Sequence, residues 1–216
     1  MIFRSATLAA IVVTLVDLGS AGMLTDASAE TIEVLDQQLT GPVTGDYGFD
    51  GNRSVAQTFT VGVAGTLSRI EIRAAEAGDT FNVGDLVLSV YDTASSVPAN
   101  PLADVVIPES TFPGIGQFIW AAGDVSSSGI QVAPGDELAI VVTASDSRHY
   151  GWASTSNGPG GALHQGSFSG NLWVPVNPEI AMLYRTFVTV PEPSTFLLLA
   201  TGALGLAAVG WRKRRS

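Results

Sequence analysis

The chain has 216 residues, a formal net charge of −10 at pH 7 and no cysteine. Without cysteine, disulfides, thiolate catalysis and cysteine-based zinc sites are excluded. Residues 30–190 contain five arginines, no lysine and 17 carboxylates, and a surface of that charge repels nucleic acid. We therefore expect no nucleic-acid partner, and a segment of about 160 residues is long enough for one domain with its own core.

Residues 1–29 predict a secretory signal peptide. A cation at Arg4 precedes an apolar stretch over residues 6–16 and then small residues, which is the layout of an export signal. Residues 27–29 (Ala-Ser-Ala) fit the small-x-small cleavage pattern, and residues 19–21 offer a competing site. The apolar stretch is too short to span a membrane, so we expect export and an ectodomain over residues 30–189.

Period-two alternation of apolar and polar residues dominates the ectodomain and predicts β-strands. The clearest strands are expected at 57–61, 67–74, 86–91 and 137–143, and shorter ones at 103–107, 117–121, 150–153 and 180–189. Stretches rich in Pro, Gly and Asn predict turns between them, at 97–101, 113–114, 134–136 and 157–161. The pattern predicts an all-β, two-sheet antiparallel β-sandwich of jelly-roll type. An immunoglobulin-like topology is the alternative.

Aromatic residues form the first candidate binding group. Tyr150, Trp152 and Trp173 are close to Gly-, Ser- and Asn-rich segments, and alternation places Tyr150 and Trp152 on one face of their strand. Sugar rings stack on exposed aromatic faces, so these three side chains are candidates for ligand stacking. The alternative is that they fill the core, where one ring buries about 150–250 Å². For Trp120, which follows Phe118 and Ile119, we expect the core.

Oxygen-bearing side chains around a glycine turn form the second candidate group. Asp46, Asp50 and Asn52 could supply the hard oxygen ligands that calcium prefers, although their spacing is not that of an EF-hand. The alternative is an acidic surface turn before the first core strand. A structural calcium ion is the one cofactor that the sequence suggests.

Signatures of catalysis are absent from the sequence. His149 and His164 do not have the spacing of a zinc protease site, and neither a Gly-x-Ser-x-Gly motif nor a nucleotide-binding loop occurs. We therefore expect no catalytic residue and no enzyme. Sequence does not reveal which carboxylates lie at glycosidase distance, so a secreted glycoside-active enzyme with paired carboxylates stays as an alternative.

The C-terminal segment, residues 190–216, combines three features. Pro191, Glu192 and Pro193 precede an uncharged apolar run over 196–211, and a basic stretch follows: Arg212, Lys213, Arg214 and Arg215. A 16-residue helix spans roughly 24 Å at about 1.5 Å per residue, so it reaches across a bilayer only with help from its flanking residues. Four consecutive cations are costly to translocate. The segment therefore predicts a transmembrane helix with a cytoplasmic basic end and a type I orientation.

This tail resembles the PEP-CTERM sorting signal of Gram-negative bacteria that secrete exopolysaccharide. The resemblance implies recognition by a membrane-embedded exosortase, a transpeptidase-like enzyme, and passage through the inner membrane to the cell surface or extracellular matrix. The stretches 56–72, 134–141 and 160–187 are similar to exported bacterial jelly-roll modules, from which no activity follows. We expect a structural or carbohydrate-binding module associated with exopolysaccharide and biofilm. A plain single-span protein anchored in the periplasm is the alternative.

Overall fold

The computed structural model describes residues 31–77, 84–146, 149–156, 162–167, 173–176 and 179–192. The predicted signal peptide at 1–29 and the predicted membrane helix at 196–211 lie outside these residues. Within the described ranges, no helix has the length and apolar character needed to cross a membrane. Two short 3₁₀ turns occur at Glu109–Thr111 and Ser126–Ser128.

Fourteen strands make up the rest of the described fold. In chain order they are β1 (Thr31–Leu39), β2 (Gly45–Phe49), β3 (Arg53–Thr60), β4 (Gly65–Ala77), β5 (Leu86–Ala94), β6 (Val97–Ile107), β7 (Ile119–Asp124), β8 (Gln131–Val132), β9 (Glu137–Ala144), β10 (His149–Ser156), β11 (Leu163–Ser167), β12 (Trp173–Pro175), β13 (Ile180–Met182) and β14 (Tyr184–Pro191).

The strands form two antiparallel sheets. Sheet A has the order β1-β14-β4-β10-β13, with β2 paired to β10 and both β7 and β8 paired to β4. Sheet B has the order β12-β11-β3-β9-β5-β6. The prediction of an all-β domain with two antiparallel sheets is therefore confirmed.

One apolar core lies between the inner faces of the two sheets. Alternation directs Ile70 and Ile72 of β4 inward from sheet A, and Phe59 and Ile140 inward from sheet B, and all four belong to one buried cluster. A fully buried amide ties the sheets together, because Oε1 of Gln57 in sheet B accepts a 3.1 Å hydrogen bond from the backbone N–H of Met182 in sheet A. The core thus depends on the period-two pattern that the sequence displays.

The prediction of a turn at 97–101 was wrong, because this segment begins β6. Pro98 and Pro101 are accommodated because β6 is the edge strand of sheet B, where a missing N–H costs no ladder hydrogen bond. The turn itself is two residues earlier, at Ser95 and Ser96, whose φ angles are 56° and 61°. Two positive φ values in a two-residue loop are characteristic of a type I′ hairpin.

Candidate functional site

Tyr150 and Trp152 lie inside the core, and neither side chain is exposed. The Tyr150 hydroxyl donates a 2.6 Å hydrogen bond to the Gly84 carbonyl, and Nε1 of Trp152 donates a 2.8 Å hydrogen bond to the Leu183 carbonyl. The ring of Phe49 stacks on Tyr150 with centroids 5.7 Å apart. Alternation correctly placed the two residues on one face of β10, but that face points into the sandwich. The prediction that they form an exposed stacking platform was therefore wrong.

Asp50 stabilises a turn, and the predicted calcium ligands are not brought together. Its Oδ1 accepts hydrogen bonds from the backbone N–H groups of Asn52 (2.8 Å) and Arg53 (3.0 Å), and its Oδ2 lies 3.2 Å from Nε2 of His149. Asp46 lies at the other end of β2, four residues away, so at about 3.3 Å per residue the two Cα atoms are about 13 Å apart. Calcium–oxygen distances of about 2.4 Å are difficult to satisfy from both carboxylates at that separation. The predicted calcium set is therefore corrected: Asp50 and Asn52 belong to an acidic turn, whereas Asp46 belongs to β2.

Trp120, which we expected in the core, is only half-buried. It lies on the outer face of sheet A, where the Arg185 guanidinium is 4.0 Å from the centroid of its ring. The cation–π contact shields one face of the indole without burying it between the sheets.

A groove of about 440 Å³ lies on the outer face of sheet B. Its floor comes from outward-facing residues that the strand register places side by side, since Ser89 of β5 pairs with Val141 of β9 and with Asp104 of β6. Trp173 of β12 lines the groove from one end of the sheet, and Tyr91 of β5 lines it from the other. The volume is within the usual range for small-molecule sites.

Trp173 packs flat against the sheet because its neighbour is a glycine. Gly166 of β11 pairs with Trp173, and a Cβ atom added at Gly166 would come within 2.7 Å of Cε3 of the indole. The missing side chain therefore leaves room for one face of the ring. Of the three aromatic residues proposed from the sequence, Trp173 is the one that lines a groove.

Polar groups on the groove floor are available to a ligand. The hydroxyl groups of Ser54 and Ser89 make no hydrogen bond to any described residue, whereas Oγ1 of Thr143 donates a 2.9 Å hydrogen bond to the Asp50 carbonyl. Desolvation, and then the nearby charge of Asp104, raise the pKa of the Tyr91 phenol. Asp104 is the single carboxylate, and no cation occurs, among the described lining residues. The groove thus combines aromatic surface, hydroxyl groups and one negative charge.

The hairpin between β5 and β6 bends over the same face of sheet B. Register shifts flank Tyr91 in this pairing, and such bulges bend and twist a strand. At the tip, the Ser96 carbonyl accepts a 2.8 Å hydrogen bond from Nε2 of buried His164 in β11. The Ser96 hydroxyl also donates to a carboxylate oxygen of Glu137 (3.0 Å). The tip is therefore fixed, and the groove has a rigid boundary beside Tyr91.

Sequence reasoning missed Tyr91, Asp104, Ser54 and Ser89 as groove residues. Alternation along β5 does identify Ser89 and Tyr91 as members of the outward-facing set, so part of the signal was present. The pairing of β5 with β6 and β9, which assembles the groove from segments far apart in the chain, is not visible in the sequence.

The sorting signal begins on the folded domain. Pro191 is the last residue of β14 and is exposed, Glu192 follows it, and Pro193 lies outside the described residues. A family model described as the PEP-CTERM protein-sorting motif matches residues 189–215. The chain carries a PEP-CTERM sorting motif. The motif includes the Pro-Glu-Pro residues and the basic stretch Arg212–Arg215, and it indicates an exported protein and implies processing by an exosortase.

Solved structures match the chain at 11–12% identity and with TM-scores below 0.5. The chain is similar to the clostridial cysteine protease Cwp84 after propeptide cleavage, at 12% identity and a TM-score of 0.47, over 74% of this chain and 40% of that one. A structure of the cysteine protease and lectin-like domains of Cwp84, a surface layer associated protein of Clostridium difficile, matches at 11% identity and a TM-score of 0.41, over 71% and 37%.

A structure of the infectious bursal disease virus Gx strain matches at 11% identity and a TM-score of 0.27, over 77% of this chain and 41% of that one. The chain thus spans about two fifths of the length of the structures it matches. No curated protein matches the chain.

Proposed function

We propose that this is an exosortase-sorted protein of the cell surface or extracellular matrix, whose sandwich binds polysaccharide without catalysis in the groove on sheet B. The sorting motif at 189–215 is the observation that carries export and processing. In this proposal the chain crosses the inner membrane as a type I protein, with 196–211 as its transient membrane helix and the basic residues in the cytoplasm. Exopolysaccharide and biofilm are its proposed surroundings.

We also propose that the sandwich has jelly-roll topology. The strand orders β1-β14-β4-β7 and β3-β9-β5-β6 support it, because eight strands taken in chain order then fill two four-stranded sheets as in a double Greek key. Strands β10 to β13 form an insertion before the last strand of this arrangement.

The lining of the groove favours a neutral or amino sugar. Trp173 and Tyr91 offer aromatic surface for a pyranose ring, and the hydroxyl groups of Ser54 and Ser89 can exchange hydrogen bonds with sugar hydroxyls. Asp104 would accept hydrogen bonds from a sugar hydroxyl or pair with an ammonium group, and it would repel a uronic acid. The ectodomain as a whole is strongly acidic, which adds to that repulsion.

Binding without hydrolysis is favoured because Asp104 is the one carboxylate among the described residues that line the groove. Glycoside hydrolysis requires two carboxyl groups, about 5–9.5 Å apart, on either side of the scissile bond. The second candidate function, a glycoside-active enzyme, is supported by a smaller cleft of about 250 Å³ on sheet A, which both Asp46 and Glu76 line.

The proposal is tested by the affinity of the mature protein for neutral, amino-sugar and uronic-acid polymers. Wild type should bind one of the first two and not the third. Trp173→Ala should weaken binding about 10- to 100-fold, since a buried apolar side chain contributes about 1.5–3 kcal/mol. Trp120→Ala, a matched tryptophan on the outer face of sheet A, should bind like wild type. Equal binding by both variants would contradict the assignment of the groove as the binding site. If wild type releases reducing ends from a polymer and Asp46→Asn does not, the glycoside-active enzyme is favoured instead.

A further inference from the structure

The sorting motif and the last strand of the sandwich overlap. The motif match begins at residue 189 and β14 ends at Pro191, so three residues belong to both. Thr189 pairs with Thr66 of β4, but Val190 and Pro191 pair only with β1, through Ile32 and Thr31. Val190 and Pro191 of the motif are therefore covered by β1 alone.

β1 is an edge strand that is held loosely at its start. Ile32 and Leu35 are 41% and 43% exposed, and the register shifts just after Leu35. Within residues 31–35, the carboxylate of Glu33 accepts hydrogen bonds from the Arg69 guanidinium (2.8 Å) and the Ser68 hydroxyl (2.8 Å). Both donors belong to β4, so this tie, the Glu33 clasp, reaches across β14.

The clasp also covers a side chain of β14. The Arg69 guanidinium that holds Glu33 lies 3.7 Å from the centroid of the Phe187 ring. Because β14 lies between β1 and β4, residues 31–35 can separate from β14 once the clasp opens and their five residue pairs with β14 break. The six residue pairs between β14 and β4 then remain. Edge segments with few buried apolar contacts open at the low end of the local unfolding scale.

An enzyme that processes a peptide chain takes it as an extended strand, and the free edge of such a strand pairs with the enzyme. In this fold β1 occupies that edge. We propose that the β1-facing edge of β14 at residues 189–191 is the surface that exosortase binds, and that residues 31–35 of β1 leave it before processing. This inference rests on the proposed sorting by exosortase, and it adds that the folded domain controls access to the motif.

A disulfide across β1 and β14 tests the proposal. Ile32 and Val190 are direct register partners, and paired residues in antiparallel strands have Cα atoms about 4.5–5.5 Å apart, within the range that a disulfide bridges. The natural chain has no cysteine, so the doubly substituted full-length protein (Ile32→Cys with Val190→Cys) can form only this bridge. In the native host, the oxidised protein should be processed at least about tenfold more slowly than wild type.

The single variant Ile32→Cys controls for the substitution in β1 and should be processed at the wild-type rate. The single variant Val190→Cys changes a residue of the proposed binding surface, so its own processing rate is the reference against which the oxidised double variant is compared. A reductant in the growth medium should restore processing of the double variant. Wild-type processing of the oxidised double variant, with the bridge verified by thiol labelling, would overturn the proposal.

A second comparison does not depend on disulfide formation. Glu33→Gln weakens the clasp and should speed processing about 2- to 5-fold, as expected for an exposed ion pair. Asp92→Asn is the matched control, since this exposed carboxylate accepts hydrogen bonds from Asn100 in the hairpin of sheet B, far from β1. Equal rates for the two variants would count against the proposal. If wild type itself is never processed, the proposed sorting by exosortase fails as well. If wild type and the oxidised double variant are both processed normally, only the proposed opening of β1 fails.

Discussion

Replacement of Trp152 by phenylalanine distinguishes a core residue from a ligand platform. The phenyl ring keeps most of the apolar volume but cannot donate to the Leu183 carbonyl, which Nε1 of Trp152 reaches at 2.8 Å. The carbonyl keeps its 3.1 Å hydrogen bond from the Arg73 backbone N–H, so the change removes one buried hydrogen bond, which contributes about 0.5–1.5 kcal/mol, and the partly emptied space adds about 1 kcal/mol. The free energy of unfolding should therefore fall by about 1.5–2.5 kcal/mol.

Urea denaturation of the mature protein measures this loss. With an m-value of about 2 kcal/mol/M, the midpoint should shift down by about 1 M urea, while the affinity for the polysaccharide stays at the wild-type value in the folded range. An unchanged midpoint with weakened binding would refute the core assignment of Trp152 and restore the exposed platform. Leu183→Ala, which keeps the backbone carbonyl, should leave the hydrogen bond intact.

Three further predictions concern the groove, the turn and the clasp. Gly166→Ala should displace the Trp173 ring and weaken sugar binding about as much as Trp173→Ala does. Calorimetric titration measures the affinity. Undiminished binding would contradict the packing of the ring on Gly166. Asp50→Ala should lower the free energy of unfolding by about 1–2 kcal/mol, because it removes an acceptor for two backbone N–H groups. Addition of calcium should leave the melting temperature of wild type unchanged. A calcium-dependent rise in that temperature would restore the predicted calcium site. The hydrogen bond from Arg69 lowers the pKa of Glu33 below its ordinary value of 4.5, so the stability that the Glu33 carboxylate contributes is present above pH 4.5 and is lost as pH falls through the folded-state pKa. Glu33→Gln should therefore be less stable than wild type at pH 7 and equally stable in acid. A stability difference that persists in thermal melts at acid pH would contradict an origin in the Glu33–Arg69 contact.

Much of the fold was predictable because its core strands place large apolar residues at every second position over several residues. Residues 67–74 and 137–143 show the pattern over a full strand, and both became long strands of the two sheets. The strands at β1, β2, β8, β11 and β12 were missed since they are short, rich in polar residues or at the edges of sheets, where burial does not enforce the pattern. β6 was shortened in the prediction because its prolines are tolerated only in an edge strand, and the sequence does not say which strand lies at an edge.

The candidate site was predictable only in part. Trp173 was identified because it follows a loop-rich segment, but the same reasoning selected Tyr150 and Trp152, which are buried. Alternation states that two residues share a face, and it does not say whether that face meets solvent or the other sheet. Tyr91 and Asp104 join the groove through the register between β5 and β6, which is a property of the folded sheet. The sorting motif needed no fold, because its features are consecutive in the chain.

The boundary between domain and sorting signal also required the structure. The sequence suggested an ectodomain that ends at residue 189, yet β14 continues through Pro191. Pro191 lacks an N–H group, and at the end of a strand this absence is tolerated. The overlap links the folding of the sandwich to the accessibility of its sorting signal.

The most direct test of the account is the intact mass of the protein recovered from the surface and the medium of its native host. The account predicts a mass that lacks residues 1–29 and everything beyond the Pro-Glu-Pro region, as export followed by exosortase processing requires. A mature protein whose mass still includes residues 196–216 would contradict the account and would identify a single-span anchored protein instead.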